Sequence, residues 1–533
     1  QDRATGEAKE GERTMAILTR EAAATRGDGL ALADDDGART WAQLDARVNR
    51  LVHALRDAGL GSGDTISVMA GNRNEWFEVA LACSHAGVVY VPVSWHLVPS
   101  EMAYIIEDSN SRAVLVGHRF TDVVAEAMAD PRSSAVELAV AIGAPDDTRF
   151  VDFEAFLGSG SDAEPEDQSF GGPMFYTSGT TGHPKGVRSS LASPEPGTPP
   201  EVWQLVASGF TGLMTLPGTA VLCGPFYHSG QWAFSFLPMV GGSAVVMQHR
   251  YDSAGVLDLI DTHGGTSIHL VPTQMKRLVE LDEERRAAFD GSSLEVAIHG
   301  AAPCPPLVKQ GLIDWWGPKI VEYYGATEGG IITMIDSPEW LERGGSVGRP
   351  MPNVEILVFD DDGEPRAAGE EGTLYFRNST GTDFEYHNAP EKTAEAHRGP
   401  GVFTTGDVGY LDDDGYLWLS DRKIDMIISG GVNVYPAEIE GVIGGHPEVA
   451  DVAVIGIPNE EFGEEVKALV VAAGNADNDD LATRLMVLCR ESLSGIKVPR
   501  SIEFRESLPR TGTGKLQKRL LREQFWSGYD RRI

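Results

Sequence analysis

The 533-residue chain is short of basic charge: 44 Lys and Arg stand against 79 Asp and Glu, a formal net charge of -35. That disfavours a nucleic-acid partner, because binding a phosphate backbone needs a basic face. It also disfavours broad adhesion to anionic lipid, and the acidity reads as a solvated surface. Cysteine is scarce. Cys83, Cys223, Cys304 and Cys489 form no C-x-x-C pair, so neither a zinc site nor a disulfide framework is indicated. Surroundings such as ALACS and VLCGP predict buried free thiols. No apolar run reaches membrane-spanning length, and the N-terminus lacks the apolar core of a secretion signal. The expectation is a cytoplasmic protein with no integral membrane segment. The polar, aperiodic residues 1–14 read as a tail or expression remnant.

What is present is enough apolar sequence, 42%, for two or three domains. Residues 40–59 predict an amphipathic helix capped by Thr40, with Leu44, Val48, Leu51, Val52 and Leu55 on one face and Gly59 at its end. A strand at TISVMAG, a helix from Asn74, a strand at VVYVPVS, a helix near Pro99 and a strand at AVLVG follow. Continuous apolar strands alternating with helices predict parallel sheet covered on both faces. Residues 158–172 are a Gly-, Asp- and Pro-rich loop. Alternation resumes through PMFYTSG, AVLCGPFY, SAVVMQH, SIHLVP, LEVAIHG and KIVEYYG. From about residue 350, strands NVEILVFD, GTLYFR and GYLWLS joined by DDDG-type turns predict antiparallel pairing. After Asp421 a short α+β module begins. The fold class is therefore α/β: a large N-terminal domain of αβα-type sheets with a small β-subdomain, residues 15–420, and a small α+β C-terminal domain, residues 421–533.

Residues 176–186 read YTSGTTGHPKG directly after an apolar strand. Ser178, Thr180 and Thr181 supply hydroxyls, while Gly179 and Gly182 let backbone N–H groups converge as an anion nest. Lys185 adds positive charge, and Pro184 stiffens the turn. A polyphosphate suits this loop, although the nucleoside-triphosphatase pattern GxxxxGK followed by Ser or Thr is absent.

In that motif, and in an ordered set after it, the chain resembles the adenylate-forming superfamily: acyl-CoA synthetases, adenylation domains and firefly luciferase. PFYHSG at 225–230 resembles the acyl-pocket gate, HGAAP at 299–303 the adenine-binding turn, and YYGATE at 323–328 the adenine-stacking and magnesium segment. TGD at 405–407 resembles the ribose segment, DRKIDMIISGGVNVYPAEIE at 421–440 the hinge and coenzyme A segment, and RTGTGK at 510–515 the catalytic-lysine loop. The resemblance implies an ATP-dependent acid–thiol ligase that forms an acyl-adenylate with release of pyrophosphate, then an acyl-CoA thioester. ATP, magnesium and coenzyme A are the implied cofactors. Free small molecules are the implied partners, a homodimer is left open, and the C-terminal domain is expected to be a mobile lid.

Residue by residue, the resemblance implies that Thr177, Ser178, Gly179, Thr180, Thr181, Gly182 and Lys185 hold phosphates. Thr327 contacts the α-phosphate and Glu328 ligates magnesium. Gly300, Ala301, Ala302, Tyr324 and Gly325 receive adenine, with Tyr324 stacking on it. Asp407 and Arg422 hold ribose, since a carboxylate accepts two hydroxyls at once. Lys515 bridges carboxylate and phosphate during adenylation. Gly430 and Gly431 admit the pantetheine arm, and Lys497 touches the nucleotide part of coenzyme A. His228 gates the acid pocket, and His299, with Trp232 and Phe234, is a candidate wall of it. One departure stands out: Ile424 occupies the swivel position where the family often has Asp or Lys.

Rival readings keep adenylation but change the acceptor to a carrier-protein thiol, or retain the fold without catalysis. The sequence contains no carrier domain, and Lys185, Glu328, Asp407, Arg422 and Lys515 are all present. HGAAPCPP and the WWG before KIVEYYG resemble bacterial fatty-acyl-CoA synthetases, which implies a medium- or long-chain acid. No Asp is placed to pair an ammonium group, and aromatic or alicyclic acids stay open.

Overall fold

A computed structural model describes residues 17–143, 145, 147–166, 168–177, 184–189, 206–422, 425–429, 432–459, 462–474, 478–510 and 516–526. The chain divides into two units, one of residues 17–176 with 206–268, the other of Thr177, 184–189 and 269–526.

In the first unit the helix expected after Thr40 runs Trp41–Asp57, and Thr40 and Gln43 close a reciprocal capping box. Two donors at the helix start are satisfied this way, each otherwise an unpaired amide. Strands Val89–Pro92, Thr65–Met69, Ser111–Gly117, Leu138–Ile142 and Val151–Asp152 lie side by side in that order, every pair parallel. Thr219–Leu222 and Leu30–Asp34 likewise flank Ala244–Met247 in parallel. Helix Asn74–Ala86 is buried at every position, which marks an interior helix rather than a surface one. Its Glu78 has no exposure and is held by Arg47 at 2.7 Å, and Arg47 also reaches Glu154 at 2.6 Å. A buried carboxylate survives only with such a partner.

In the second unit Val296–His299 pairs in parallel with Ile320–Ala326, which turns back as an antiparallel hairpin into Gly330–Asp336. The expected switch to antiparallel pairing follows: Val354–Phe359 against Gly372–Asn378, and Asp407–Leu411 against Leu417–Arg422. A DDDG turn forms at 360–363, where Gly363 adopts φ +84° and donates to the Asp360 carbonyl at 3.1 Å. Ile356, Leu374, Phe376, Phe384, Phe403, Leu417 and Val187 form one core. The C-terminal module packs helices Pro436–Gly444 and Asn478–Ser492 with strands Val449–Asn459, Gly463–Ala472 and Ser501–Phe504, around Ile439, Val454, Ala468 and Leu485. The boundary read at Ser420–Asp421 falls inside the Leu417–Arg422 strand.

Cys83, Cys223 and Cys489 are buried free thiols, whereas Cys304 is half-buried. Among the described residues, no helix is long and apolar enough to cross a membrane.

Candidate nucleotide and acid site

The hairpin of the second unit carries the central residues. Tyr324 and Gly325 lie near the end of its first strand, and Thr327, Glu328 and Gly329 form its tip. Glycine is needed twice here. A Cβ on Gly325 would lie 2.2 Å from the Gly330 carbonyl oxygen, and one on Gly329 would lie 2.7 Å from the Phe403 ring. The tip is thus pressed onto its surroundings, which fixes the backbone that displays Glu328.

Tyr324 donates from its hydroxyl to Asp407 Oδ2 at 2.5 Å, and Thr405 donates to the same oxygen at 2.7 Å. Asp407 is only 8% exposed. Arg422 lies directly across the strand pair from it, although only the backbone of Arg422 is described. Tyr324, Thr405 and Asp407 therefore meet at one place, beside the Arg422 backbone.

At the turn expected to receive adenine, residues 299–303, the backbone takes an unusual path. Ala301 takes φ +69°, a left-handed conformation costly for a residue with a Cβ. Ala301 is exposed and Ala302 half-buried, so a flat base can approach backbone there. Gly300 has no room for a side chain, because a Cβ would sit 2.6 Å from the Tyr323 ring.

Glu328 accepts a hydrogen bond on Oε1 from the Tyr386 hydroxyl at 2.9 Å. Lys185 holds its ammonium 4.9 Å above the Tyr386 ring. Burial, then Lys392, draw the Lys185 pKa below its ordinary value, while Glu395 and Glu328 oppose that shift. A carboxylate oxygen is the hard donor magnesium takes, so Glu328 fits the metal that the family reading implies. Glu328 would hold it, and when bound the ion would neutralise phosphate charge. Lys185 and Glu328 thus both reach Tyr386, one over its ring and the other at its hydroxyl. Tyr386 and Thr405 were not singled out, although Thr405 stands inside the TGD motif.

Beneath the adenine turn lies a buried polar cluster. His299 is 1% exposed; neither ring nitrogen has a hydrogen-bond partner among the described residues, and the closest ionic neighbour, Glu322, is 3.9 Å away. Glu322 is paired to Lys309 at 2.7 Å, and Lys309 sits 4.5 Å over the Trp340 ring. His269 and the Tyr323 hydroxyl are 3.1 Å apart. Burial lowers the His269 pKa to about 3. Burial, with Lys309 and His269 adding to it, also holds His299 well below the ordinary range.

Other assignments are spread more widely. Lys497 is engaged by Glu438 at 2.6 Å within the C-terminal module. His228 precedes helix Ser229–Val240 in the first unit, with its ring 4.3 Å from that of Tyr227. Trp232 donates to the Tyr90 hydroxyl at 2.8 Å, and Phe234 packs edge-on against Phe210. Of the WWG stretch, Trp315 packs edge-on and Trp316 tilted against Phe289. Ser178, Gly179, Thr180, Thr181, Gly182, Ile424, Gly430, Gly431 and Lys515 lie outside the described residues.

Comparison with known proteins gives a concordant picture. A family model described as AMP-binding enzyme matches residues 19–382, and the AMP-binding enzyme C-terminal domain matches 438–515. The fatty acid–[acyl-carrier-protein] ligase ScoC of Streptomyces coeruleorubidus is 33% identical over 93% of this chain and 93% of its own. The feruloyl-CoA synthase of an Amycolatopsis species is 33% identical over 96% of this chain and 97% of its own. Among solved structures, the anthranilate CoA ligase AuaEII, determined with anthranoyl-AMP, superimposes with a TM-score of 0.84 at 25% identity, covering 96% of this chain and 97% of that one.

Proposed function

The chain belongs to the AMP-binding enzyme family, and from that premise we propose that this ATP-dependent, adenylate-forming ligase joins a medium- or long-chain fatty acid to coenzyme A. The observation that carries the adenylation reading is Asp407, buried and receiving both the Tyr324 and Thr405 hydroxyls, on the strand next to the Arg422 backbone. Such a preset acceptor suits the vicinal hydroxyls of ribose.

The chemistry begins with two anions, because a substrate carboxylate must approach the α-phosphate. The carboxylate is already deprotonated, so no general base is required. The chain must screen repulsion and fix the line of attack. Gly300 and Ala301 seat the base, Asp407 orients the ribose, and Lys185 with the nest at 178–182 takes the phosphates. Thr327 donates to the α-phosphate. Lys515 bridges the carboxylate and phosphate oxygens, bringing pyrophosphate out as leaving group. The C-terminal module, residues 421–533, then turns so that Lys515 leaves and the thiol enters past Gly430 and Gly431. His228 gates the acid, His299 walls its pocket, and Lys497 steadies the coenzyme.

The fatty acid is favoured by the likeness to ScoC, and coenzyme A by the likeness to feruloyl-CoA synthase and AuaEII. A screen of acids graded in chain length and ring content, scoring pyrophosphate and then thioester, tests both parts. Release of AMP with coenzyme A and a C8–C18 acid is the expected result. Pyrophosphate from no acid at all would sink adenylation. Turnover only with a carrier-protein thiol would replace the acceptor, and turnover only with aromatic acids would replace the substrate.

A further inference from the structure

We propose that Tyr386 is a positioning residue that fixes the Glu328 carboxylate for its cation and ties it to the strand bearing the phosphate-binding lysine. This rests on the reading of Glu328 as the magnesium ligand.

Tyr386 is itself held before its hydroxyl reaches anything. It ends the strand Phe384–Tyr386, which pairs antiparallel with Lys185–Ser189, Tyr386 opposite Val187. The next residue, His387, donates its N–H to the Gly186 carbonyl at 2.8 Å. The Tyr386 N–H donates to Thr393 Oγ1 at 2.9 Å. Its ring lies edge-on to Phe384 with centroids 5.1 Å apart, and Lys185 covers the ring. Backbone pairing, a side-chain acceptor, an aromatic neighbour and a cation thus fix the phenol from four directions.

Glu328 differs. Its backbone is pinned at Gly325 and Gly329, but a glutamate retains several free torsions, and holding one rotamer costs entropy. The hydrogen bond at 2.9 Å settles that choice in advance. It engages Oε1, and among the described residues Oε2 makes no hydrogen bond or ion pair, so the second oxygen is presented to a cation. The same bond makes the distance from Glu328 to Lys185 a property of strand pairing instead of side-chain flexibility. A metal-bound triphosphate needs that distance constant, because its phosphates touch both residues.

Tyr386→Phe tests the idea in the full chain, since it keeps the ring, the strand and the cation contact and removes only the hydroxyl. Manganese binding in the presence of α,β-methylene-ATP is read by electron paramagnetic resonance. About tenfold weaker manganese binding is expected, the scale of one hydrogen bond to a charged group. KM for metal–nucleotide should rise with it, kcat should change less, and excess magnesium should restore the rate. The thermal midpoint should stay at the wild-type value. Unchanged manganese affinity in Tyr386→Phe, with Glu328→Gln weakened, overturns the positioning role and leaves the metal assignment standing. Unchanged affinity in Glu328→Gln overturns both. If the hydroxyl acts through Glu328, adding Tyr386→Phe to Glu328→Gln costs nothing further; additive losses would overturn the proposal.

Discussion

Two carboxylates in the second unit are each met by a tyrosine, and they are built differently. Asp407 is 8% exposed and receives two hydroxyls on one oxygen, at 2.5 and 2.7 Å. Glu328 is half-buried and receives one, at 2.9 Å. The first arrangement is closed and preset; the second leaves an oxygen for a guest. In the function proposed above, the contrast is between a rigid ribose clamp and a metal ligand that must exchange its cargo each turnover.

The comparison breaks first if the two carboxylates prove equal. Asp407→Ala removes the proposed ribose acceptor and strands two hydroxyls together. Hydrogen bonds to charged groups are each worth about 1.5–3 kcal/mol, so kcat/KM for ATP should fall roughly a thousandfold, about 4 kcal/mol. Glu328→Gln should cost less in nucleotide affinity and more in metal dependence. Pyrophosphate release against ATP and magnesium concentration separates the two, and matching profiles would dissolve the distinction.

A smaller effect should come from below the clamp. The Tyr324 strand also carries Glu322, which pairs at 2.7 Å with the fully buried Lys309. Lys309→Met leaves that carboxylate buried without its partner, which should destabilise the fold by about 3 kcal/mol. Urea unfolding reads this directly. A loss below about 1 kcal/mol would mean that the strand does not lean on the pair.

Much of this was legible in the sequence, and the exceptions share a cause. The capping box at Thr40, the parallel alternation and the turn glycines are local, and local chemistry is written in neighbouring residues. Tyr324 and Asp407 were named because each stands in its own motif, and the structure joins them. Tyr386 was missed because its role arises from distance: Glu328 is 58 positions away, and its strand pairs with Lys185–Ser189 far upstream. Pairing of that span leaves no periodic trace. The Trp315–Trp316 stretch shows the same limit: its likeness to fatty-acyl-CoA synthetases is written in neighbouring residues, whereas the packing of Trp315 edge-on and Trp316 tilted against Phe289 joins distant ones. His299 is buried, and nothing in its neighbours foretold the Lys309–Glu322 pair beside it.

The smallest effect is the sharpest test of where the clamp gets its rigidity. His269 sits 3.1 Å from the Tyr323 hydroxyl, one residue before Tyr324, and burial lowers its pKa to about 3. In the unfolded chain a histidine titrates near ~6.5. Below that pH the unfolded state takes up a proton that the folded state refuses, so stability falls as pH drops. The slope is about 1.4 kcal/mol per pH unit for one histidine, continuing toward pH ~3. Between pH 6.5 and 5 this amounts to about 2 kcal/mol. His269→Gln keeps a hydrogen-bonding group toward Tyr323 and cannot titrate, so its urea stability should lose about 2 kcal/mol less than wild type on acidification to pH 5. The Tyr386 side leans on strand pairing with no buried histidine, so Tyr386→Phe should retain the wild-type acid slope. Equal slopes in wild type and His269→Gln would show that the ribose clamp does not rest on a buried neutral imidazole.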